Sequence, residues 1–139
     1  MSPEERERKL ISISLHEVAE AHEWLRECFR AELLDRLSPT LQDYPQYENI
    51  YHCALLLHLV GDLTDLPLLF SAKRSGNMDL GCCFDWQFLF LSDPQTLIEY
   101  ARSIDRPDIE AWVKELASKY NPSEMKSWVQ DTIDYHRPA

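Results

Sequence analysis

Apolar residues recur at helical spacing through the middle of the chain, from residue 44 to residue 73. The first run contains Ile50, Cys53, Ala54, Leu57, Leu59 and Val60. Gly61 interrupts this run, and a second apolar run follows Pro67, with Thr64 or Asp65 placed as a helix N-cap. The pattern predicts two helices joined by a tight corner.

The residues before this corner have the spacing of a longer helix. Its apolar positions recur three or four residues apart, at Leu15, Val18, His22, Leu25, Phe29 and Leu33. Ser14 is placed to cap this helix, which should end before Ser38 because the residue preceding Pro39 disfavours helical geometry. The opposite side carries both charges, including Glu32 and Arg36 at i, i+4, and we expect it to face solvent.

Two flanking segments lack a helical period. Residues 1–9 mix acidic and basic residues without a repeat, and we expect them to be frayed. Residues 38–45 contain two prolines and are expected to connect the long helix to the corner. No turn signal marks a second domain, so residues 1–139 are predicted to form one domain.

Three helices that begin at prolines are predicted in the last third of the chain. They start at Pro94, Pro107 and Pro122, where the missing N–H of the first helical turn costs little. Asp93 and Asn121 precede two of these prolines as caps. Their connections are short, which folds consecutive helices back as αα-hairpins. The apolar faces include Trp112 and Trp128, which we expect to share one core.

Residues 76–91 fit either a strand or a helix. Four aromatic residues alternate as they would in a strand, at Phe84, Trp86, Phe88 and Phe90, while Phe84 and Phe88 also share a helical face. A lone strand among helices would leave its backbone groups unpaired, so we predict a short buried helix. The predicted fold is therefore all-α, with about six or seven helices.

The corner at Gly61 resembles that of a HEAT-like repeat. In such repeats an apolar helix ends at Leu-Gly-Asp, and the next helix begins after a short acidic segment, ahead of a leucine pair. The resemblance implies stacked αα-hairpins, an architecture used for protein binding. A fold by itself does not fix a function.

A second resemblance covers about a quarter of the chain. Residues 65–100 are similar to a stretch of small bacterial proteins, in which a Leu-Trp-x-Ala-Lys helix precedes an aspartate, a Cys-Gly pair, a second aspartate and Gln-Phe-Leu. The matching residues are Ala72, Lys73, Asp79, Cys82, Asp85, Gln87, Phe88 and Leu89, with Phe70 in place of the tryptophan and Cys83 in place of the glycine. The resemblance implies a bacterial origin and carries no activity.

The charge of the chain is strongly negative. It amounts to −10, from 14 basic and 24 acidic residues. Residues 38–105 hold three basic and nine acidic residues, a net charge of −6. Nucleic-acid binding is disfavoured, since it draws on clustered Lys and Arg. The acidic middle either aids solubility or attracts a basic protein partner.

Three features of the sequence indicate a cytoplasmic protein that does not enter a membrane. No apolar run approaches the ~18 residues of a membrane helix. The first ten residues lack the apolar core of a signal peptide. Cys28, Cys53, Cys82 and Cys83 are expected to be buried free thiols.

Neither a metal site nor a cofactor is predicted. The pairs His16/His22 and His52/His58 are six residues apart, which turns a helix through ~600° and places the two imidazoles on different sides. With three glycines in the chain, a glycine-rich phosphate loop is also excluded.

Asp85 is the best candidate for acid–base chemistry. It stands between Phe84 and Trp86, and it would suit that role only if the fold buried it without a partner. The alternative, which we favour, is that it caps a helix or pairs with Lys73 or Arg74.

The sequence therefore predicts a non-enzymatic protein-binding module, of the immunity or antitoxin type, that inhibits a basic bacterial toxin. The candidate partner-binding residues are Asp62, Asp65, Asp79, Asp85, Asp93 and Glu99. One alternative is a HEAT-like adaptor that holds a partner helix in an apolar groove. Another is an enzyme with its site around Asp79 and Asp85. The partner, the binding face and the oligomeric state stay open.

Overall fold

The computed structural model describes residues 1–37, 48–75 and 78–138, with the side chains of Met78, Asp79 and Cys82 left out. Within these ranges the secondary structure is helical and contains no strand. The prediction of an all-α protein is confirmed for this part of the chain. The predicted connection over residues 38–45 lies outside the described residues.

The α-helices are α1 (Pro3–Ser12), α2 (His22–Leu37), α3 (Asn49–Val60), α4 (Leu66–Lys73), α5 (Met78–Cys83), α6 (Pro94–Ser103), α7 (Pro107–Leu116) and α8 (Pro122–His136). Short 3₁₀ helices lie at Leu15–Glu17, Leu63–Asp65, Trp86–Leu89 and Ala117–Lys119. In the described ranges no helix is both long enough and apolar enough to cross a membrane.

Helix α3 forms the centre of the core. Six of its apolar residues have no exposed surface: Ile50, Cys53, Ala54, Leu55, Leu56 and Leu57. Because these residues cover nearly the whole circumference of the helix, α3 can be stable only when it is surrounded. It packs against α1, α2, α8 and the 3₁₀ helix Trp86–Leu89.

The predicted corner between two helices is confirmed. Gly61 ends α3 with a φ of +74°, a left-handed conformation that favours glycine. Asp65 occupies the predicted N-cap position of α4, but its carboxylate makes no capping hydrogen bond. Asp62, three residues earlier, accepts a 2.9 Å hydrogen bond from the N–H of Thr64. The Asp65 carboxylate instead contacts His22 and Arg26 of α2.

The N-terminus is ordered, so the expectation of a frayed segment is wrong. Ser2 and Glu5 form a reciprocal capping box at the start of α1, with bonds of 3.2 and 3.3 Å. Arg6 lies buried and pairs with Glu32 and Asp35 of α2. Glu32 therefore does not face solvent as expected; its side chain has no exposed surface.

The helix expected from Leu15 begins later. A 3₁₀ helix at Leu15–Glu17 and a turn precede α2, which starts at His22. Ser14 caps no backbone group; its hydroxyl lies 3.0 Å from Nδ1 of His16. The apolar spacing continues across the turn, which explains why the pattern alone suggested a single helix.

The three helices that begin at prolines are confirmed. The carboxylate of Asp93 accepts a 3.0 Å bond from Thr96 N–H, and the side-chain oxygen of Asn121 accepts bonds of 2.9 and 3.1 Å from two N–H groups of α8. Helices α6 and α7 pack against each other. Trp112 on α7 lies in the core, while Trp128 on α8 packs on the edge of that core and stays partly exposed.

Residues 84–91 contain no strand, and their helical part is the 3₁₀ helix Trp86–Leu89. Phe84 follows α5 and has no exposed surface, and Asp85, with extended backbone angles, precedes the 3₁₀ helix. Phe88 and Leu89 are buried, so the prediction of a short buried helix is confirmed for Trp86–Leu89 and not for the residues on either side. This segment places Asp85 at the edge of a cavity.

Candidate functional site

A cavity of about 400 Å³ lies between α8, the start of α3 and the segment that joins α5 to the following 3₁₀ helix. Its volume falls in the lower part of the range of ligand pockets. Helix α8 contributes Trp128, Asp131, Thr132, Tyr135 and His136, and the other two sides contribute Glu48, Tyr51, Cys83, Asp85 and Phe88.

One face of α8 forms a wall of this cavity. Trp128, Asp131, Thr132 and Tyr135 occur at i, i+3, i+4 and i+7, a spacing that places their side chains on the same side of a helix. The core positions Met125 and Ile133 lie beside this face and anchor α8 to the rest of the protein. Packing thus fixes which side of α8 lines the cavity.

Aromatic rings form the floor of the cavity. The rings of Phe88 and Trp128 meet edge to face at 5.0 Å, and His58 meets Trp128 in the same way at 5.5 Å. The Nδ1 of His58 lies 3.2 Å from the carbonyl oxygen of Phe88, to which its N–H donates. Burial lowers the pKa of His58, so this imidazole is neutral and adds no positive charge beneath the cavity.

Asp85 is held at the rim by Trp128. The indole Nε1–H of Trp128 donates a 3.1 Å hydrogen bond to Oδ2 of Asp85 across 43 positions of sequence. Asp85 neither caps the 3₁₀ helix with its side chain nor pairs with Lys73, whose ammonium group donates to the carbonyls of Gly81 and Phe84. Since Asp85 is exposed, the argument for an acid–base role, which required burial, no longer applies.

The charged side chains described in the lining of this cavity are acidic. Three described carboxylates line it, those of Glu48, Asp85 and Asp131, and its described lining residues include no lysine or arginine. None of the three forms an ion pair with a described residue, whereas the buried carboxylates of Glu32 and Asp65 do. In the described part of the chain, Asp131 has no hydrogen-bond partner at all.

A second cavity of about 400 Å³ adjoins the first on the side of α1. Its lining residues are Glu7, Ile11, Glu48, Asn49, His52, Tyr135 and His136, so it shares three residues with the first cavity. The hydroxyl of Tyr135 donates a 2.9 Å bond to Oε1 of Glu48 and separates the two. The Tyr135 side chain is otherwise 66% exposed.

A cluster of His52, His136 and Arg137 closes the far end of α8. The two imidazoles stack at 5.3 Å, and Nη1 of Arg137 lies 3.1 Å from Nε2 of His52. Burial, together with the smaller effects of His136 and Arg137, lowers the pKa of His52 to about 3. Arg137 also donates to carbonyl oxygens of Leu10 and Ile13 and so ties α8 to α1.

The predicted partner-binding residues do not form one site. Asp93 and Glu99 are exposed on α6, where Asp93 caps the helix and Glu99 accepts a 3.1 Å bond from Gln95. Asp62 is partly exposed at the corner after α3. Only Asp85 lines the cavity, and the side chain of Asp79 is outside the described residues.

Asp65 was predicted to bind a partner, and its burial shows that this prediction is wrong. Its side chain is 1% exposed and accepts bonds of 2.6 Å from His22 and from Arg26 of α2. A carboxylate that is buried between an imidazole and a guanidinium stabilises the fold and is inaccessible to a partner. We therefore remove Asp65 from the candidate surface.

The described cysteines agree only in part with the prediction that they are buried free thiols. Cys28 and Cys53 are buried free thiols, as predicted, and burial raises the pKa of the Cys53 thiol. Cys83 is exposed and lines the cavity, so the expectation of burial is wrong for this residue. Within the described ranges no group of three or more His, Cys, Asp or Glu side chains is arranged to hold a metal ion.

Glu48 and Asp131 are the site residues that sequence reasoning missed. Asp131 carried a readable signal, because Trp128, Asp131 and Tyr135 share one face of a predicted helix. Glu48 carried none, since it reaches the cavity only through the packing of α3 against α8.

Comparisons with protein-family models, with curated proteins and with solved structures found no match to this chain. The case for a function therefore rests on the cavity and on the charges around it.

Proposed function

We propose that this protein binds a basic protein partner and inhibits it, as immunity and antitoxin proteins do. The observation that carries the proposal is the cavity between α3 and α8, where three carboxylates that form no ion pair with a described residue lie beside an aromatic floor. Aromatic side chains are typical anchors of protein interfaces. Negative charge around them would speed the approach of a basic partner and fix its orientation.

The charge of the whole chain supports the same proposal. A net charge of −10 attracts a basic partner over the distance that salt screening allows, about 8 Å at physiological ionic strength. Toxins that act on nucleic acid carry positive charge because nucleic acid is a polyanion, and the same reason disfavours nucleic-acid binding by this acidic chain. An inhibitor in the cytoplasm of the same bacterium would need the opposite charge.

The helical arrangement is compatible with this role. We propose that the helices stack as αα-hairpins in a HEAT-like manner, supported by the packing of α2 on α3 and of α6 on α7. Repeats of this kind expose helix faces for binding. In this chain the exposed face would be that of α8.

An adaptor that holds a partner helix is the second candidate. It is favoured by the second cavity, where Ile11 is 59% exposed beside Tyr135. Apolar side chains at that position suit a helix with an apolar stripe. The two candidates differ in the charge that the partner must carry.

Growth rescue tests the proposal. The genes that flank the one for this protein are expressed in a bacterial host, alone and together with it. We expect one flanking gene to encode a basic product that arrests growth, and co-expression of this protein to restore growth. Failure to find such a product, or arrest that co-expression does not relieve, would overturn the inhibitor proposal.

A matched pair of charge reversals locates the surface. Asp131→Lys places a cation in the cavity and should abolish rescue, whereas Glu115→Lys makes the same change of charge at an exposed position of α7 and should leave rescue intact. With the purified partner, the association rate should fall as salt is raised. Equal loss of rescue by both variants would show that net charge alone matters.

A further inference from the structure

We infer that the cavity between α3 and α8 is a seat for one arginine side chain, which the partner presents at the centre of its interface. This inference rests on the proposed function and specifies the chemistry of its site.

The cavity has room for a side chain. At about 400 Å³, it is at the small end for a ligand site and much smaller than a groove for a whole helix. Trp128 provides a partly exposed aromatic surface at its base, and its ring meets the buried ring of Phe88 edge to face. A guanidinium is planar and weakly hydrated, so it stacks on such a surface at low desolvation cost.

The carboxylates offer acceptors at the rim. The indole N–H of Trp128 occupies Oδ2 of Asp85, and Oδ1 has no described partner. The two oxygens of Asp131 are likewise without a described donor. A guanidinium carries five donors in a fixed fork and can serve several carboxylate oxygens at once, whereas an ammonium presents a compact point charge with three donors.

The surroundings add no competing positive charge. The lining residues include no lysine or arginine, and burial lowers the pKa of His136, which keeps that imidazole neutral at physiological pH. An anion in the cavity would be repelled by three carboxylates, and no cationic side chain among the described lining residues would offset that repulsion. A cation is therefore the occupant that the charge of the cavity complements.

The experiment titrates the full-length protein with N-acetyl-arginine methylamide at low salt and follows the indole N–H signal of Trp128 by NMR. Assignment uses Trp128→Phe, which lacks that signal. We expect a saturable shift of this resonance with little change at Trp112, which is buried in the core. N-acetyl-citrulline methylamide, the neutral isostere, should cause no shift.

Two isosteric variants on the same helix make the test specific. Asp131→Asn removes a cavity charge and should weaken binding of the arginine probe about tenfold, the size expected for a charge-assisted hydrogen bond. Asp134→Asn, whose carboxylate accepts a 2.9 Å bond from Gln130, should leave binding unchanged. Urea unfolding of both variants would verify that neither change disturbs the fold.

The lysine analogue tests whether the cavity prefers a guanidinium to an ammonium group. N-acetyl-lysine methylamide should bind about tenfold more weakly than the arginine probe, because it cannot form the planar fork. Equal affinity for the two probes, or binding that Asp131→Asn does not alter, would overturn the assignment of an arginine seat.

The result of the probe-binding test can be distinguished from the result of the growth-rescue test. Growth rescue that persists while the arginine probe fails to bind would refute the seat and leave the inhibitor in place. Binding of the probe without any toxic flanking product would support the seat and refute the inhibitor.

Discussion

The Nε2 atom of His22 lies 2.6 Å from Oδ2 of Asp65, although the two residues are 43 positions apart. Arg26, one turn further along α2, donates from Nε to the other oxygen of the same carboxylate at 2.6 Å. Asp65 thus joins the start of α2 to the corner between α3 and α4. This acidic residue belongs to the scaffold, whereas Asp85 and Asp131 belong to the surface.

Asp65→Asn should destabilise the fold by about 1–3 kcal/mol, since the buried side chain loses its charge-assisted hydrogen bonds with His22 and Arg26. The free energy of unfolding in urea measures this loss. Glu23→Gln is the matched control, because Glu23 also pairs with Arg26 but is 77% exposed. A surface pair of that kind is worth ~0.5 kcal/mol. Equal losses in the two variants would contradict the structural role of Asp65.

The contribution of α1 to the stability of the fold can be measured by substituting Arg6. Arg6→Ala leaves Glu32, which has no exposed surface, without its cationic partner, and should cost about 3 kcal/mol. Replacing both residues, as in Arg6→Met with Glu32→Leu, should recover most of that loss because no buried charge remains. The exposed neighbour Arg8→Ala should change stability by less than ~0.5 kcal/mol. If Arg6→Ala behaves like Arg8→Ala, α1 contributes little to the fold.

The two tryptophans of the C-terminal helices should respond differently to truncation. Trp112 is 6% exposed and packs edge to face on Phe70 at 5.7 Å, so Trp112→Ala should cost about 3–5 kcal/mol. Trp128 lies on the edge of the core, and Trp128→Phe keeps most of its packing on Phe88. We expect that variant to lose less than ~1.5 kcal/mol in urea unfolding. A larger loss for Trp128→Phe would assign this residue to the core rather than to the site.

His52 should make the fold sensitive to mild acid. Its pKa is about 3 in the folded protein, against an ordinary value of 6.5, so between these values the unfolded chain binds a proton that the folded chain does not. Stability is therefore complete above pH 6.5 and falls as the pH decreases. From pH 7 to pH 5 the loss from His52 alone should be about 2 kcal/mol, at ~1.4 kcal/mol per pH unit.

The control for this pH effect is a variant without the titrating group. His52→Gln should flatten the dependence of unfolding free energy on pH between 7 and 5. The lowered pKa values of His58 and His136 act in the same direction, so part of the slope should persist. Measurement above pH 5 avoids the titration of Asp62 and Asp93, whose pKa values are lowered by hydrogen bonds to Thr64 and Thr96 and whose stabilisation is lost at lower pH. An unchanged slope in His52→Gln would exclude His52 as its source.

The features that depend on neighbouring residues in the chain were readable from the sequence. Gly61 ends α3 because only glycine adopts its left-handed φ at little cost, and Asp93 caps α6 through an N–H three residues ahead. The prolines at the starts of α6, α7 and α8 act in the same local way. The all-α class followed from these signals together with the apolar spacing.

The roles of the acidic residues were decided only by the tertiary structure. Asp65 and Glu32 look like surface charges in the sequence, and both are buried because cations from distant positions reach them. Glu48 and Asp131 meet at one cavity only because α8 packs on α3. The hydrophobic effect drives that packing without direction, so a linear pattern specifies which faces are buried but not which polar groups meet beside them.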